Sequence, residues 1–421
     1  MPSTKPSSHV LVTGASGYIA SWTCQFLLEG GFKVRGTVRS KEKGDHLSQI
    51  FERFGNKWSY VVIEDIEKPN GFDEAVKDID SVAHIASPCH MNVTDDPYKY
   101  VINPAVIGTL SILNSANGPN GKSVKRIVIT SSLAAVLNPT NDLNHVFNES
   151  EWNEYSSEVV KAKGKDSPPV EIYRCSKTAE KAAWSFMKEN QPAFDLVTLC
   201  PSYVLGPVIH QVKDSKSING SVKLFYNYLV GISDAESAKK PFSSEVDVRD
   251  LAVAHIQALV IEKAGGNRYA ISKRWLDPDH VLCLTCGGSK NFNALAFTWQ
   301  DALDILHEKG QGKDWPNSTK GEPGSGKSAK QNLYDASKSI NDLDMKYRPF
   351  EETIIDMSNS LKALSKTWRY VFFKPTRARI RKSLVKEQHQ FEHKTVHINE
   401  IVQDGFQGNG IDQKIGNEIN R

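Results

Sequence analysis

Apolar positions in this chain follow two rhythms. Short β-branched runs alternate with longer stretches in which apolar residues recur every three or four positions, and glycine or proline separates them. The runs predict strands at 9–13, 33–38, 59–64, 81–86, 126–130, 196–200 and 268–272. The helical stretches predict 18–29, closed by Gly30 and Gly31, then 97–117, a helix carrying Tyr173 and Lys177 as far as Asn190, and 298–306. Asp301, three residues after Thr298, offers a box-like N-cap. Strands alternating with helices predict an α/β fold on a mostly parallel, doubly wound sheet. Such sheets bind ligands beyond the carboxyl ends of their strands, so the loops after these runs are where chemistry is expected.

Composition changes this picture little. With 421 residues, 39% hydrophobic and 24% charged, the chain reads as a soluble globular protein of one large domain plus an appendage, or of two domains. A formal charge of +3 gives no argument for nucleic acid. Cys24, Cys89, Cys175, Cys200, Cys283 and Cys286 are too few and too scattered for a disulfide scaffold and read as free thiols in a reducing compartment. The polar start M-P-S-T-K-P-S-S-H lacks the apolar core of a signal peptide, and no apolar run is long enough to span a bilayer. The expectation is a cytoplasmic protein with no membrane or nucleic-acid partner.

The first strand runs into T-G-A-S-G-Y-I-A, residues 13–20, which opens the first helix. Gly14 allows the tight turn, Gly17 lets backbone approach a pyrophosphate, and Ala20 stays small where helix meets sheet. A dinucleotide is the implied ligand. An acid at the end of the second strand is the usual mark of NAD, yet here stand Arg39 and Lys43, which can clamp a 2′-phosphate and point to NADPH. Glu42 and Asp45 stand close by and argue the other way. Asp65 and Ile66, after the third strand, offer an acceptor and a wall for adenine, or a surface acid at a strand end. Ala86-Ser87-Pro88 follows the fourth strand as a weaker signal.

The fifth strand ends in Thr130-Ser131-Ser132, and Tyr173-Arg174-Cys175-Ser176-Lys177 lies downstream. A Tyr and a Lys four apart on a helix share one face, and an ammonium beside a phenol favours the phenolate. The spacing makes Tyr173 a proton donor to a carbonyl oxygen, with Lys177 its electrostatic support and a contact to the nicotinamide ribose. Ser132, which Ser131 could replace, holds that oxygen. Together with a hydride-carrying dinucleotide, these groups imply carbonyl reduction.

Two further patterns are weaker. Gly321 to Ser328 spells G-E-P-G-S-G-K-S, but D-W-P-N-S-T-K before it is no strand, so a flexible loop is expected rather than a nucleotide-hydrolysing P-loop. Cys283 and Cys286 resemble half a zinc site without a second pair, so no metal is expected.

These motifs carry a family resemblance. V-L-V-T-G-A-S-G-Y-I-A at 10–20, V-R-G-T-V-R-S at 34–40 and T-S-S-L-A-A-V at 130–136 resemble extended short-chain dehydrogenases/reductases. So do Y-R-C-S-K-T-A-E-K-A-A-W at 173–184, P-S-Y-V-L-G-P at 201–207 and V-D-V-R-D-L-A-V-A-H at 246–255. Within that superfamily the chain is similar to fungal NADPH-dependent aldehyde, ketone and methylglyoxal reductases, with plant dihydroflavonol 4-reductases as cousins. The resemblance implies a Rossmann fold with a smaller C-terminal substrate-binding lobe, and Ser132, Tyr173 and Lys177 as catalytic triad. It also implies NADPH held by Gly14, Ala15, Ser16, Gly17, Tyr18, Ile19, Arg39, Lys43, Asp65, Ile66, Tyr173, Lys177, Val204 and Ser221.

The implied layout is a nucleotide-binding domain over 1–272, which lends about 205–245 to the substrate lobe, and the rest of that lobe over 297–367. The implied partner is a small aldehyde, ketone or diketone, and the implied state is monomer or homodimer. A larger cyclic substrate of dihydroflavonol or 3-hydroxysteroid type, and a non-catalytic NADP-binding role, are the alternatives. Two stretches have no family counterpart. Residues 273–296 are aperiodic and carry the hypothesis of translated intron or gene-model error; detection of peptides spanning both junctions in the source cells would refute it. The tail from 368 begins basic, with eight Lys or Arg and no acid between Lys366 and Lys386, and is expected to be poorly ordered.

Overall fold

The computed structural model describes residues 4–87, 95–140, 142, 145–273, 296–326 and 333–368. Seven parallel strands form one sheet. Numbering only these, they are β1 (His9–Thr13), β2 (Lys33–Val38), β3 (Trp58–Val62), β4 (Ser81–His84), β5 (Arg126–Thr130), β6 (Asp195–Pro201) and β7 (Asn267–Ile271). Their spatial order is β7-β6-β5-β4-β1-β2-β3. The order reverses between β1 and β4, so the crevice at their carboxyl ends is a topological switch point.

The strand residues divide between two faces, as period-two alternation requires. Val10 and Val12 of β1 face the helices Tyr18–Glu29 and Val248–Val260, with Leu27, Leu251 and Ala258 in the same apolar cluster. Leu11, Ile127 and Ile129 face the opposite layer, where Ile112 and Leu113 of the Asn103–Asn117 helix meet Ala183 and Phe186 of the Thr178–Asn190 helix. The expected doubly wound α/β sheet is therefore present. A separate apolar cluster joins Leu205, Val222 and Phe225 to Phe297, Trp299, Leu303, Phe350 and Ile354.

Several expected boundaries move for local reasons. β4 stops at His84 because the amides of Ile85 and Ala86 turn to Thr13 Oγ1, each at 3.0 Å. The stretch 97–117 opens with a π-turn over Tyr98–Ile102 before the α-helix begins. The helix expected to carry both Tyr173 and Lys177 is two helices, Pro169–Ser176 and Thr178–Asn190, meeting at Lys177. The box at Thr298 is present: its hydroxyl accepts from the Asp301 amide, and Asp301 accepts from the Thr298 amide.

The stretch 273–296 falls almost wholly outside the described residues, but its flanks are placed. Lys273 donates its amide to Glu245 O at 2.9 Å, and Phe297 donates to Ser243 O at 3.1 Å. The tail beyond Trp368, Pro88, and the cysteines 89, 283 and 286 also lie outside. Cys24, Cys175 and Cys200 are buried free thiols. Among the described residues no helix is long and apolar enough to cross a membrane.

Candidate active site

The glycine turn, Arg39, Asp65 and Ser132 follow the ends of β1, β2, β3 and β5 at the carboxyl edge of the sheet, while Lys43, Tyr173 and Ser221 sit on helices. After β1 the chain turns at Gly14, whose φ of +67° suits glycine, and a Cβ there would lie 3.1 Å from Ala86 Cα beyond β4. The turn is pinned from β2: Thr37 accepts the Gly14 amide on Oγ1 at 3.0 Å and the Ala15 amide on its carbonyl at 2.9 Å. Gly17 caps the Tyr18–Glu29 helix, with no acidic residue in its first turn. The free amides of that turn face the ligand position with nothing to repel an anion. Ser16 and Ile19 are half-buried on either side of Gly17. Tyr18 was expected to touch the cofactor. Its ring is 8% exposed in the second apolar cluster and its hydroxyl donates to Gly206 O at 2.8 Å. The side chain is thus committed to the fold, leaving its backbone amide at the helix start.

Past β2, Arg39 and Lys43 are exposed, and among the described residues neither makes a salt bridge. The neighbouring acids are engaged: Glu42 with Lys213 at 2.8 Å, and Asp45 with Lys41 at 2.6 Å and with the Tyr60 hydroxyl at 2.7 Å. The acids that complicate the sequence reading are therefore spoken for, and two cations remain for a phosphate. Past β3, Asp65 is exposed and accepts the Glu67 amide on one oxygen at 2.8 Å. Ile66 is half-buried and packs where a Cβ on Gly108 would stand, 2.7 Å from its Cδ1.

Past β5, the two serines separate cleanly. Ser131 is 8% exposed and donates to Glu180 Oε2 at 2.6 Å. Ser132 is half-buried, and its Oγ caps the turn Leu133–Ala135 by accepting the Ala134 amide at 3.1 Å, which leaves its proton available. The Pro169–Ser176 helix packs against that turn and carries Tyr173. Lys177 Nζ sits 4.5 Å from the centroid of the Tyr173 ring. Phenol and ammonium are thus adjacent even though the helix breaks between them.

Past β6, Val204 lies in a short strand, Tyr203–Leu205, paired with Glu245–Asp247. Ser221 sits in the first turn of the Gly220–Leu229 helix, its Oγ accepting from Asn219 Nδ2 at 3.0 Å. The chain after β1, β2, β3 and β5 thus carries the glycine turn, Arg39, Asp65 and Ser132 at one edge of the sheet, with the Tyr173 helix packed on the turn after Ser132, whereas Val204 and Ser221 lie on elements outside the seven-stranded sheet.

Sequence reasoning missed the support beneath this edge. Glu180, 2% exposed, accepts from Ser131, from Thr198 Oγ1 at 2.6 Å and from Arg268 Nε at 2.7 Å. Arg268 is 9% exposed, stacks 3.5 Å over Trp152 and donates to the carbonyls of Glu149 and Glu151. The signal was an acid on the apolar stripe that continues through Ala183 and Phe186. A cleft of about 490 Å3 opens beside β7 between Glu149, Arg268 and Lys338, and none of the catalytic candidates lines it.

The glycine-rich stretch expected as a flexible loop is described over 321–326, with Lys327 and Ser328 outside the described residues. It lies as a turn against the Trp299–Glu308 helix: the Gly324 amide donates to Asp304 at 2.7 Å, and a Cβ on Gly326 would fall 2.1 Å from Thr298 Oγ1. An amide already held by a carboxylate is not a phosphate cradle.

Comparison with known proteins agrees with this architecture. A family model described as the NAD dependent epimerase/dehydratase family matches residues 10–272. The chain is 36% identical over 371 residues to the NADPH-dependent methylglyoxal reductase of Saccharomyces cerevisiae, covering 84% of this chain and 97% of that protein. It is 36% identical over 259 residues to aldehyde reductase 2 of Sporidiobolus salmonicolor, covering 60% and 73%. The crystal structure of yeast methylglyoxal/isovaleraldehyde reductase complexed with NADPH superposes with a TM-score of 0.70 at 32% identity, covering 85% of this chain and 99% of that one. A sheet of this order with a glycine loop at its switch point defines a dinucleotide-binding scaffold, and the relatives are reductases. The chain belongs to the NAD dependent epimerase/dehydratase family.

Proposed function

We propose that this protein is an NADPH-dependent carbonyl reductase that turns a small aldehyde, ketone or diketone into the alcohol, with Tyr173 as proton donor. The observation that carries the proposal is the Lys177 ammonium 4.5 Å from the Tyr173 ring, at the same sheet edge as Ser132 and the glycine turn. The yeast and Sporidiobolus relatives are named for reduction of aldehydes or methylglyoxal, which supports this substrate class.

The residues fit the cofactor. Gly14 leaves room against Ala86, the first turn of the Tyr18–Glu29 helix offers free amides to a pyrophosphate, and Arg39 and Lys43 match a 2′-phosphate. Asp65 has a carboxylate oxygen left for the adenine amino group and Ile66 an apolar wall, while Val204 and Ser221 would supply further contacts. NADPH supplies the hydride. Ser132 donates a hydrogen bond to the carbonyl oxygen and holds it as negative charge develops. Tyr173 delivers the proton to that oxygen. Lys177 stabilises the phenolate left behind and orients the ribose. The second apolar cluster, built from about 205–245 and 297–367, would form the substrate lobe beside this edge.

The test is loss of NADPH absorbance across aldehydes, diketones and ketoesters, with Tyr173→Phe as control. Turnover is expected to fall roughly 100- to 10,000-fold in the variant, the usual contribution of a general acid, while NADPH binding is retained. A variant as active as the parent removes Tyr173 from this role.

A further inference from the structure

We propose that Lys213 is a specificity-determining residue for the phosphorylated nucleotide, acting by neutralising Glu42 at the edge of the 2′-phosphate cradle. This rests on the reading of Arg39 and Lys43 given above.

Residues 206–213 form a strap between the two elements that would receive the phosphates. At its start, the Tyr18 hydroxyl donates to Gly206 O and Trp22 Nε1 donates to Pro207 O, each at 2.8 Å, which fixes it to the Tyr18–Glu29 helix. At its end, Lys213 Nζ meets Glu42 Oε1 at 2.8 Å on the Lys41–Ile50 helix. Between them, His210 is 8% exposed with its ring 5.7 Å from that of Tyr18. Burial, then the neighbouring His46 and Lys43, hold His210 down to about 4, so it stays neutral and brings no charge of its own. The strap's one cation at this helix is Lys213.

The charge count shows why that cation matters. The run from Arg39 to Asp45 contains Arg39, Lys41, Glu42, Lys43 and Asp45. Lys41 and Asp45 cancel each other at 2.6 Å. Left alone, Glu42 would offset one of the two remaining cations, next to a ligand group that carries two negative charges. Lys213 removes that offset from a position far away in sequence, so the motif itself does not reveal it. Lys213 and Glu42 are both exposed, with side chains 61% and 65% accessible, so the pair adds little to stability and can be altered without harm to the fold.

The experiment is fluorescence titration of the full-length protein with NADPH and with NADH at low salt. It is run on wild type, Lys213→Ala, Lys213→Glu and the double variant Glu42→Gln/Lys213→Ala. An uncompensated carboxylate beside a dianion is expected to weaken NADPH binding roughly tenfold in Lys213→Glu, and less in Lys213→Ala, with NADH nearly unchanged. The double variant is expected to recover wild-type NADPH affinity. Equal losses for both nucleotides, or no recovery in the double variant, overturn the inference. If wild type itself binds NADPH and NADH alike, the two-cation cradle fails and the inference falls with it. If wild type prefers NADPH and both single variants keep that preference, the inference alone falls.

Discussion

At the level of single residues, adjacent serines have opposite fates. Ser131 spends its hydroxyl on Glu180 in a buried network, whereas Ser132 keeps its proton at the sheet edge. Ser132→Ala is therefore expected to lower kcat roughly 100-fold with stability near wild type. Ser131→Ala should cost about 1–3 kcal/mol of stability with a far smaller effect on kcat. Paired turnover and urea-unfolding measurements decide this, and the opposite pattern would exchange the two roles. The sequence shows a serine pair at a strand end but not which one faces the ligand, because that depends on Glu180, a partner on a helix 49 positions away. The glycine turn was legible because φ and close approach constrain residue type directly. Tyr18 was not, since its hydroxyl partner, Gly206, is 188 positions distant.

At the level of elements, short β-branched runs located all seven strands of the sheet, and β1, β2 and β5 have the expected ends. β4 ends early because a side chain competes with the ladder, Thr13 taking the amides of Ile85 and Ala86. The break at Lys177 has no breaker in the sequence, so periodicity alone reads one continuous helix. Beneath that break, Glu180 fastens the Thr178–Asn190 helix to β6 through Thr198 and to β7 through Arg268. Removing the acid leaves Arg268 buried and unpaired. Glu180→Ala is expected to destabilise the protein by roughly 3–5 kcal/mol, read from the denaturant midpoint. Glu180→Ala/Arg268→Met, which removes both charges, should recover part of that loss; a double variant as weak as the single would show that lost hydrogen bonds, not an orphaned charge, set the cost.

At the level of the whole molecule, buried titratable groups on separate elements set the pH response. Burial holds His84, His210 and His255 down to about 4, whereas unfolded histidine titrates near 6.5. Their contribution is complete above 6.5 and is lost as pH falls towards 4, at about 1.4 kcal/mol per unit for each. Burial pushes Glu245 up to about 8 and Asp250 up to about 6, so their contribution is lost as pH rises through those values. Three histidines outweigh two carboxyls on the acid side, and above 6.5 Glu245 is the carboxyl that continues to act. Urea midpoints are therefore expected to peak near pH 6.5, falling towards both pH 5 and pH 8. A monotonic change across that range would contradict these burial assignments.

The flanks of the stretch 273–296 bear on the whole chain in another way. Lys273 and Phe297 both attach to the short segment that spans Ser243 and Glu245. Replacing 274–295 by a short Gly-Ser linker is expected to leave the Tm within a few degrees and NADPH affinity unchanged, as calorimetry and titration would show; a collapse of either would make the segment part of the folded unit. Because its two ends are brought together by the rest of the fold, lengthening the excursion costs only a logarithm of its length. If the linker replacement behaves as expected, the seam between β7 and the Trp299–Glu308 helix would work as a port, where extra sequence could arrive, persist or be exchanged for a tag or reporter with little consequence for folding. Selection at that point would read what the added sequence does rather than how the protein stands up.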